Sequence, residues 1–179
     1  GLPNINQKPA NDFSYLAVVG SRDFNFTEMK QLDASLEEAG FRHHLLVFDG
    51  IHQWPPEKLI PDIFSWILFD AMRQKAIPEE RKDINAFIER NDKIASGFET
   101  EGKLHLQQDS YIKMLHYLQG LTDVAPLQAE IKRLSAEKEV IDYRNQQNVL
   151  LALEQKLQQE YLPLIPEQSI EWWANEAAR

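Results

Sequence analysis

Two residues of this chain have the side-chain types and the order that general-base chemistry needs. Asp23 follows the apolar run Tyr15-Leu16-Ala17-Val18-Val19-Gly20. His52 comes 29 positions later, in Gly50-Ile51-His52-Gln53-Trp54-Pro55-Pro56. A carboxylate beside an imidazole fixes its tautomer and stabilises its protonated form, and the imidazole can then take a proton from a nucleophile. The two side chains must meet in space for this, so the elements that carry them decide the matter.

Phe13 to Val19 is a short apolar run rich in β-formers that ends at Gly20, as expected of a strand buried on both faces of a parallel sheet. Thr27 is placed to cap a helix with apolar positions Met29, Leu32, Leu36 and Ala39, and Gly40 stops it. Phe41 to Phe48 reads as a second strand, ended by Asp49-Gly50. Strand, helix and strand within about 35 residues make a βαβ unit, which brings both strands to one sheet edge. Active groups of open parallel sheets sit at the carboxyl ends of strands. Neighbouring strands lie about 4.8 Å apart, so loops leaving that edge can join Asp23 to His52.

The resemblance here is specific. Val18-Val19-Gly20-Ser21-Arg22-Asp23-Phe24-Asn25-Phe26, then a helix, then Val47-Phe48-Asp49-Gly50-Ile51-His52-Gln53-Trp54-Pro55-Pro56, is similar to the last third of an α/β-hydrolase, nearest to bacterial esterase or dienelactone-hydrolase-like proteins. In that family the acid follows a strand as Gly-x-x-Asp, and the histidine follows the final strand as Asp-Gly-x-His, often with Trp-Pro-Pro behind it. The resemblance covers roughly residues 13–75. It implies Asp23 as the acid, His52 as the base, no cofactor, and a small-molecule or peptide acyl substrate. Trp54 and Phe24 are the candidate substrate-pocket residues, although Trp54 could equally pack under the next helix. The family also carries its serine in Gly-x-Ser-x-Gly on a strand-to-helix elbow upstream of the acid. None of Ser14, Ser21, Ser35, Ser65, Ser96, Ser110, Ser135 and Ser169 has those flanking glycines. The expectation is that the nucleophile, the oxyanion hole and most of the sheet precede residue 1, and that this chain alone is inactive.

Beyond His52, Pro61 suits the first turn of a helix with Ile63, Phe64, Ile67, Leu68, Ala71 and Met72 on a broad apolar face. A polar linker follows at residues 76–82, and the rest reads as helix. Ile84, Phe87, Ile88, Ile94 or Ala95, and Phe98 form one stripe; Tyr111, Met114, Leu115 and Leu118 form a second; Leu127, Ile131 and Leu134 form a third. A long helix from about Ala136 to Tyr161 carries Val140, Leu150, Leu153 and Leu157, and the last helix holds Ile170, Trp172 and Trp173. Phe98, Gly102, Leu118 and Pro126 match four tetratricopeptide offsets, while His105 and Met114 break the pattern. The fold class is therefore α/β followed by all-α. Residues 1–78 are a partial parallel-sheet, α/β-hydrolase-like unit, and residues 79–179 are a helical bundle or helix-hairpin extension.

Composition narrows the partners. The 179 residues carry a net charge of −9, with a pI near 5.0, and both halves are acidic, which leaves no basic face for a nucleic-acid backbone. The absence of cysteine excludes disulfides and thiolate metal sites without assigning a compartment. No apolar run approaches the roughly 20 residues of a membrane helix. Gly1-Leu2-Pro3-Asn4 reads as the remnant of a cleaved tag or a start inside a longer protein.

The other motifs carry less. Ser110-x-x-Lys113 and Ser135-x-x-Lys138 fit Ser-x-x-Lys without the elements that accompany it in enzymes, and Ser135 reads as a helix N-cap. His43 and His44 point to opposite strand faces and, like His105 and His116, read as structural rather than metal-ligating. Trp172-Trp173 reads as one core and one partly exposed position, rather than a partner-binding spot. The alternative to a hydrolase is a non-catalytic module whose helices bind a protein partner. A two-stranded parallel sheet exposes edges and an apolar face, so the strands must pair across a homodimer or the helices must fold over the sheet.

Overall fold

The computed structural model describes residues 14–178. The loop expected at residues 1–11, and Phe13 at the head of the first strand, lie outside them. Strand β1 is Ser14–Gly20, helix α1 is Phe26–Glu38 and strand β2 is Arg42–Phe48. The strands are parallel, with Tyr15 opposite His43, Leu16 opposite His44 and Gly20 opposite Phe48.

Strand alternation sets the layers of the first unit. Tyr15 packs with the α1 cluster of Leu32, Leu36 and Phe41. Its neighbour Leu16 packs with the main core, on the other face. His43 and His44 divide in the same way: His43 Nε2 lies 3.3 Å from Asp33 of α1, whereas the His44 ring meets Trp66 and Tyr117. Along β1 Ala17 and Val19 are buried and Val18 between them is half-buried, while in β2 His43 and His44 are buried on opposite faces and Val47 is exposed.

A 3-10 turn, Glu57–Leu59, leads into α2, Ile60–Arg73. The buried positions of α2 are Asp62, Trp66, Phe69 and Met72, while Phe64 and Ile67 face solvent. This corrects the apolar stripe read from the sequence, which turned Phe64 and Ile67 inward. The register follows two demands. The large rings of Trp66 and Phe69 bury more apolar surface, and Asp62 can turn inward because Arg90 and Lys113 meet it at 2.7 and 2.6 Å.

Helices α3 (Arg81–Thr100), α4 (Leu104–Leu118) and α5 (Ala125–Leu134) follow. The main core joins Trp66, Phe69 and Met72 to Ile84, Phe87, Met114, Tyr117, Leu118 and Leu121. Phe87 stacks on Tyr117 with ring centroids 4.9 Å apart. The helical region thus packs against one sheet face within the unit. Gly102, at φ 70°, turns α3 into α4.

The chain divides into compact units Gly1–Ile141 and Asp142–Arg179. Residue 78 lies in the connection between α2 and α3, inside the first. Helix α6 spans Lys138–Tyr161 and α7 spans Ile170–Glu176. In the second unit the Tyr161 hydroxyl donates to Glu176 at 3.0 Å, and the Tyr161 and Trp173 rings lie 6.0 Å apart. Both Trp172 and Trp173 are half-buried, so neither takes the full core position expected of one of them. No helix among the described residues is long and apolar enough to cross a membrane.

Candidate functional site

Asp23 and His52 meet where β1 and β2 end. Past Gly20 the backbone stays paired to the loop after β2: Ser21 N–H donates to the Phe48 carbonyl at 2.8 Å, and Arg22 N–H to that of Gly50 at 2.9 Å. Two glycines permit this closeness. A Cβ on Gly20 would stand 2.5 Å from the Gly50 carbonyl oxygen and 2.6 Å from that of Ile51. A Cβ on Gly50 would stand 2.4 Å from the Phe48 ring. The Gly-x-x-Asp and Asp-Gly-x-His spacings are thus two halves of one backbone contact.

Within this frame the Asp23 carboxylate has two duties. Its Oδ1 accepts from the Asn25 N–H at 2.9 Å, opening the turn into α1. This corrects the expected cap. Thr27 is buried inside the first turn, and Asp23 meets the N–H ahead of it. The second duty is to His52, whose Nδ1 lies 3.0 Å from Oδ2 and 3.2 Å from Oδ1. A carboxylate only accepts, so Nδ1 carries a proton, and in the neutral ring Nε2 holds the lone pair. The His52 side chain is 62% exposed and that of Asp23 only 9%. A held, shielded carboxylate orients a ring whose far nitrogen is open to a reactant.

Phe24 stacks on that ring at 4.6 Å between centroids, with planes 29° apart. It covers one face of the imidazole. Trp54 is 91% exposed and stands out from the surface. Among the described residues His52 makes its hydrogen bonds with Asp23. Several serine hydroxyls are committed elsewhere: Ser35 donates to the Gln31 carbonyl, Ser65 to that of Pro61 and Ser110 to that of Leu106. Ser135 is a C-cap of α5, not the expected N-cap, and donates to the Ile131 carbonyl. Lys113, the partner of Ser110 in the Ser-x-x-Lys spacing, is held by Asp62.

The other histidines pair over distances that no local spacing reveals. His43 Nδ1 donates to the Phe41 carbonyl at 2.8 Å, and its Nε2 faces Asp33. The hydrogen bond to Asp33 raises the pKa of His43 against its burial. His44 Nδ1 and His116 Nδ1 lie 3.2 Å apart, and burial lowers the pKa of both. His105 binds Glu139 through its ring and its backbone N–H. No group of three or more His, Asp or Glu side chains among the described residues could hold a metal ion. Comparison with family models, curated proteins and solved structures finds no significant match.

Proposed function

We propose that Asp23 and His52 are the acid and base of a serine hydrolase that cleaves an ester or related acyl bond. The reacting serine, in Gly-x-Ser-x-Gly, is supplied by polypeptide outside these residues. One observation carries the reading: His52 Nδ1 is bound to a shielded carboxylate while the ring stands exposed with Nε2 free. In the reaction Nε2 takes the serine proton as the hydroxyl attacks the acyl carbon. The imidazolium, stabilised by Asp23, then returns that proton to the leaving group. The resemblance of residues 13–75 to the final third of an α/β-hydrolase supports the same assignment, with the helices after residue 78 as an extension. Without the serine these residues bind no covalent intermediate, and the chain alone should turn over no ester.

The reading frame upstream of Gly1 tests this first. It should encode Gly-x-Ser-x-Gly, and a frame without it sinks the proposal. The longer protein should then hydrolyse p-nitrophenyl acetate, and His52→Ala should remove at least about a thousandfold of kcat. Undiminished turnover in that variant would take His52 out of the mechanism.

A second reading rests on the second unit. There α6 leaves Val149, Leu150, Leu153 and Leu157 exposed, a stripe at helical spacing. Under this reading the chain is a non-catalytic module and the stripe meets a helix of a protein partner. Leu153→Glu with Leu157→Glu would then abolish partner capture, and His52→Ala in the longer protein would change no ester turnover.

A further inference from the structure

A second site lies in the first unit, away from the Asp23–His52 contact in its lining. It is a cleft of about 400 Å3 between α1, β2 and α4, within the size range of small-molecule pockets. Its walls are mostly apolar, with Val47, Leu59, Phe98 and Ile112 among them. Its polar groups come from three elements, and most are already committed. Asp33 is met by His43 at 3.3 Å, and Lys113 is held by Asp62 at 2.6 Å. The Ser110 hydroxyl donates to the Leu106 carbonyl. Asp109 is exposed, at the cleft's edge.

Two polar features remain for a ligand. The first is Lys30, whose ammonium lies 6.0 Å from the Phe26 ring centroid and makes no ion pair among the described residues. The second is the His44–His116 pair. With two Nδ1 atoms facing each other, one must donate and one accept. The His116 ring also hydrogen-bonds to the His43 backbone, so the N–H left for a ligand is Nε2–H of His44, in the tautomer that accepts at Nδ1. His44 is 9% exposed and lines the cleft. Lys30 and Lys113 both lie close enough to its ring to disfavour a further proton there.

We propose that this cleft binds a small monocarboxylate with an apolar body, its carboxylate on Lys30 and the Nε2–H of His44, its apolar part against Val47, Leu59, Phe98 and Ile112. Among the described residues of the lining, one cation without an ion pair matches one negative charge. A dianion such as a phosphate monoester would enter with a charge left uncompensated. A cation would meet Lys30 and find the Asp33 carboxylate of the lining already engaged by His43. An uncharged alcohol would leave the lysine unpaired. The assignment does not rest on the hydrolase reading.

The test titrates the full chain with sodium octanoate by calorimetry, beside octanol, octylamine and octyl phosphate. Octanoate should bind with one molecule per chain and more tightly than the other three. Lys30→Met should weaken it at least about tenfold, and Lys30→Arg should restore most of the loss. Val47→Trp, which fills the cleft from an exposed strand position, should abolish binding. Far-UV circular dichroism and thermal unfolding of the variants show that each is folded. Equal affinity for octanol, octanoate binding unchanged in Lys30→Met, or binding retained in Val47→Trp would each overturn the proposal. So would the absence of binding at millimolar octanoate.

Discussion

Two carboxylate–imidazole pairs stand a short distance apart in this sequence, and they are built for opposite ends. Asp33 and His43 join α1 to β2; Asp23 and His52 join the loops that follow β1 and β2. In the first pair both ring nitrogens are used, Nδ1 on the Phe41 carbonyl and Nε2 on Asp33, and the ring is buried. Both partners are acceptors and favour the protonated ring, and the pair ties a helix to a strand. In the second pair one nitrogen is used and the other faces outward. Residue types cannot separate the two. What separates a bolt from a candidate base is whether the second nitrogen is spent.

The largest effect should come from the frame and not from either ring. Gly20→Ala drives a methyl group into two backbone carbonyls that cannot move apart without breaking the β1–β2 loop contact. We expect a loss of roughly 3 kcal/mol, read from urea unfolding, with the His52 ring displaced from Asp23. Gly97, in α3 with open space around it, provides the control. Gly97→Ala should stabilise by about 0.5–1 kcal/mol. A mild Gly20→Ala would mean that the Asp23–His52 geometry does not depend on the glycine contact.

Next in size is the buried pair. His43→Leu keeps the volume but strands the Phe41 carbonyl and removes a charge-assisted hydrogen bond from Asp33. The expected cost is about 2 kcal/mol in the same unfolding measurement. A cost near zero would show that the Asp33–His43 contact is not a structural tie, and the contrast between the pairs would fail.

The sequence exposed the second pair and hid the first for a physical reason. Asp23 and His52 are fixed by chain-local rules: a strand must end, a glycine must allow the close approach, and the loops leave one sheet edge together. Those rules operate over a few residues and leave a readable trace. The same holds for β1, α1 and β2. His44 meets His116 across 72 positions and His105 meets Glu139 across 34, so their partners are set by how α4 lies on the sheet and on the first turn of α6. Periodicity found α4 but not its rotation, which buries Tyr117 and brings His116 to β2. In α2 it failed more sharply. A buried Asp62 looks polar and outward until Arg90 and Lys113 arrive from α3 and α4.

Stability against pH sharpens the comparison further. The folded pKa of His43 is raised, so its contribution is fully present below the unfolded value of 6.5 and fades as pH rises through the folded value. His44 and His116 are shifted the other way. Below pH 6.5 the unfolded chain takes protons that the folded one refuses, and stability falls. Each of these two groups adds a slope of up to about 1.4 kcal/mol per pH unit in that window. Stability should therefore rise as pH drops toward 6.5 and decline below it. His43→Leu should flatten the alkaline side. His44→Phe, between Trp66 and Tyr117, should flatten part of the acid side. A profile unchanged by either substitution would deny that these rings hold the stated protonation states.

The smallest effect should belong to His52 itself. Its ring is mostly in solvent, and its one partner keeps the Asn25 N–H when the imidazole is gone. His52→Gln should therefore change unfolding free energy by less than about 0.5 kcal/mol, several times less than His43→Leu. A residue held by a shielded carboxylate and a stacked phenyl ring, yet nearly irrelevant to stability, has its geometry maintained for something other than the fold. If His52→Gln instead costs as much as His43→Leu, the His52 ring is a bolt like the other, and the case for a base at this sheet edge loses its main support.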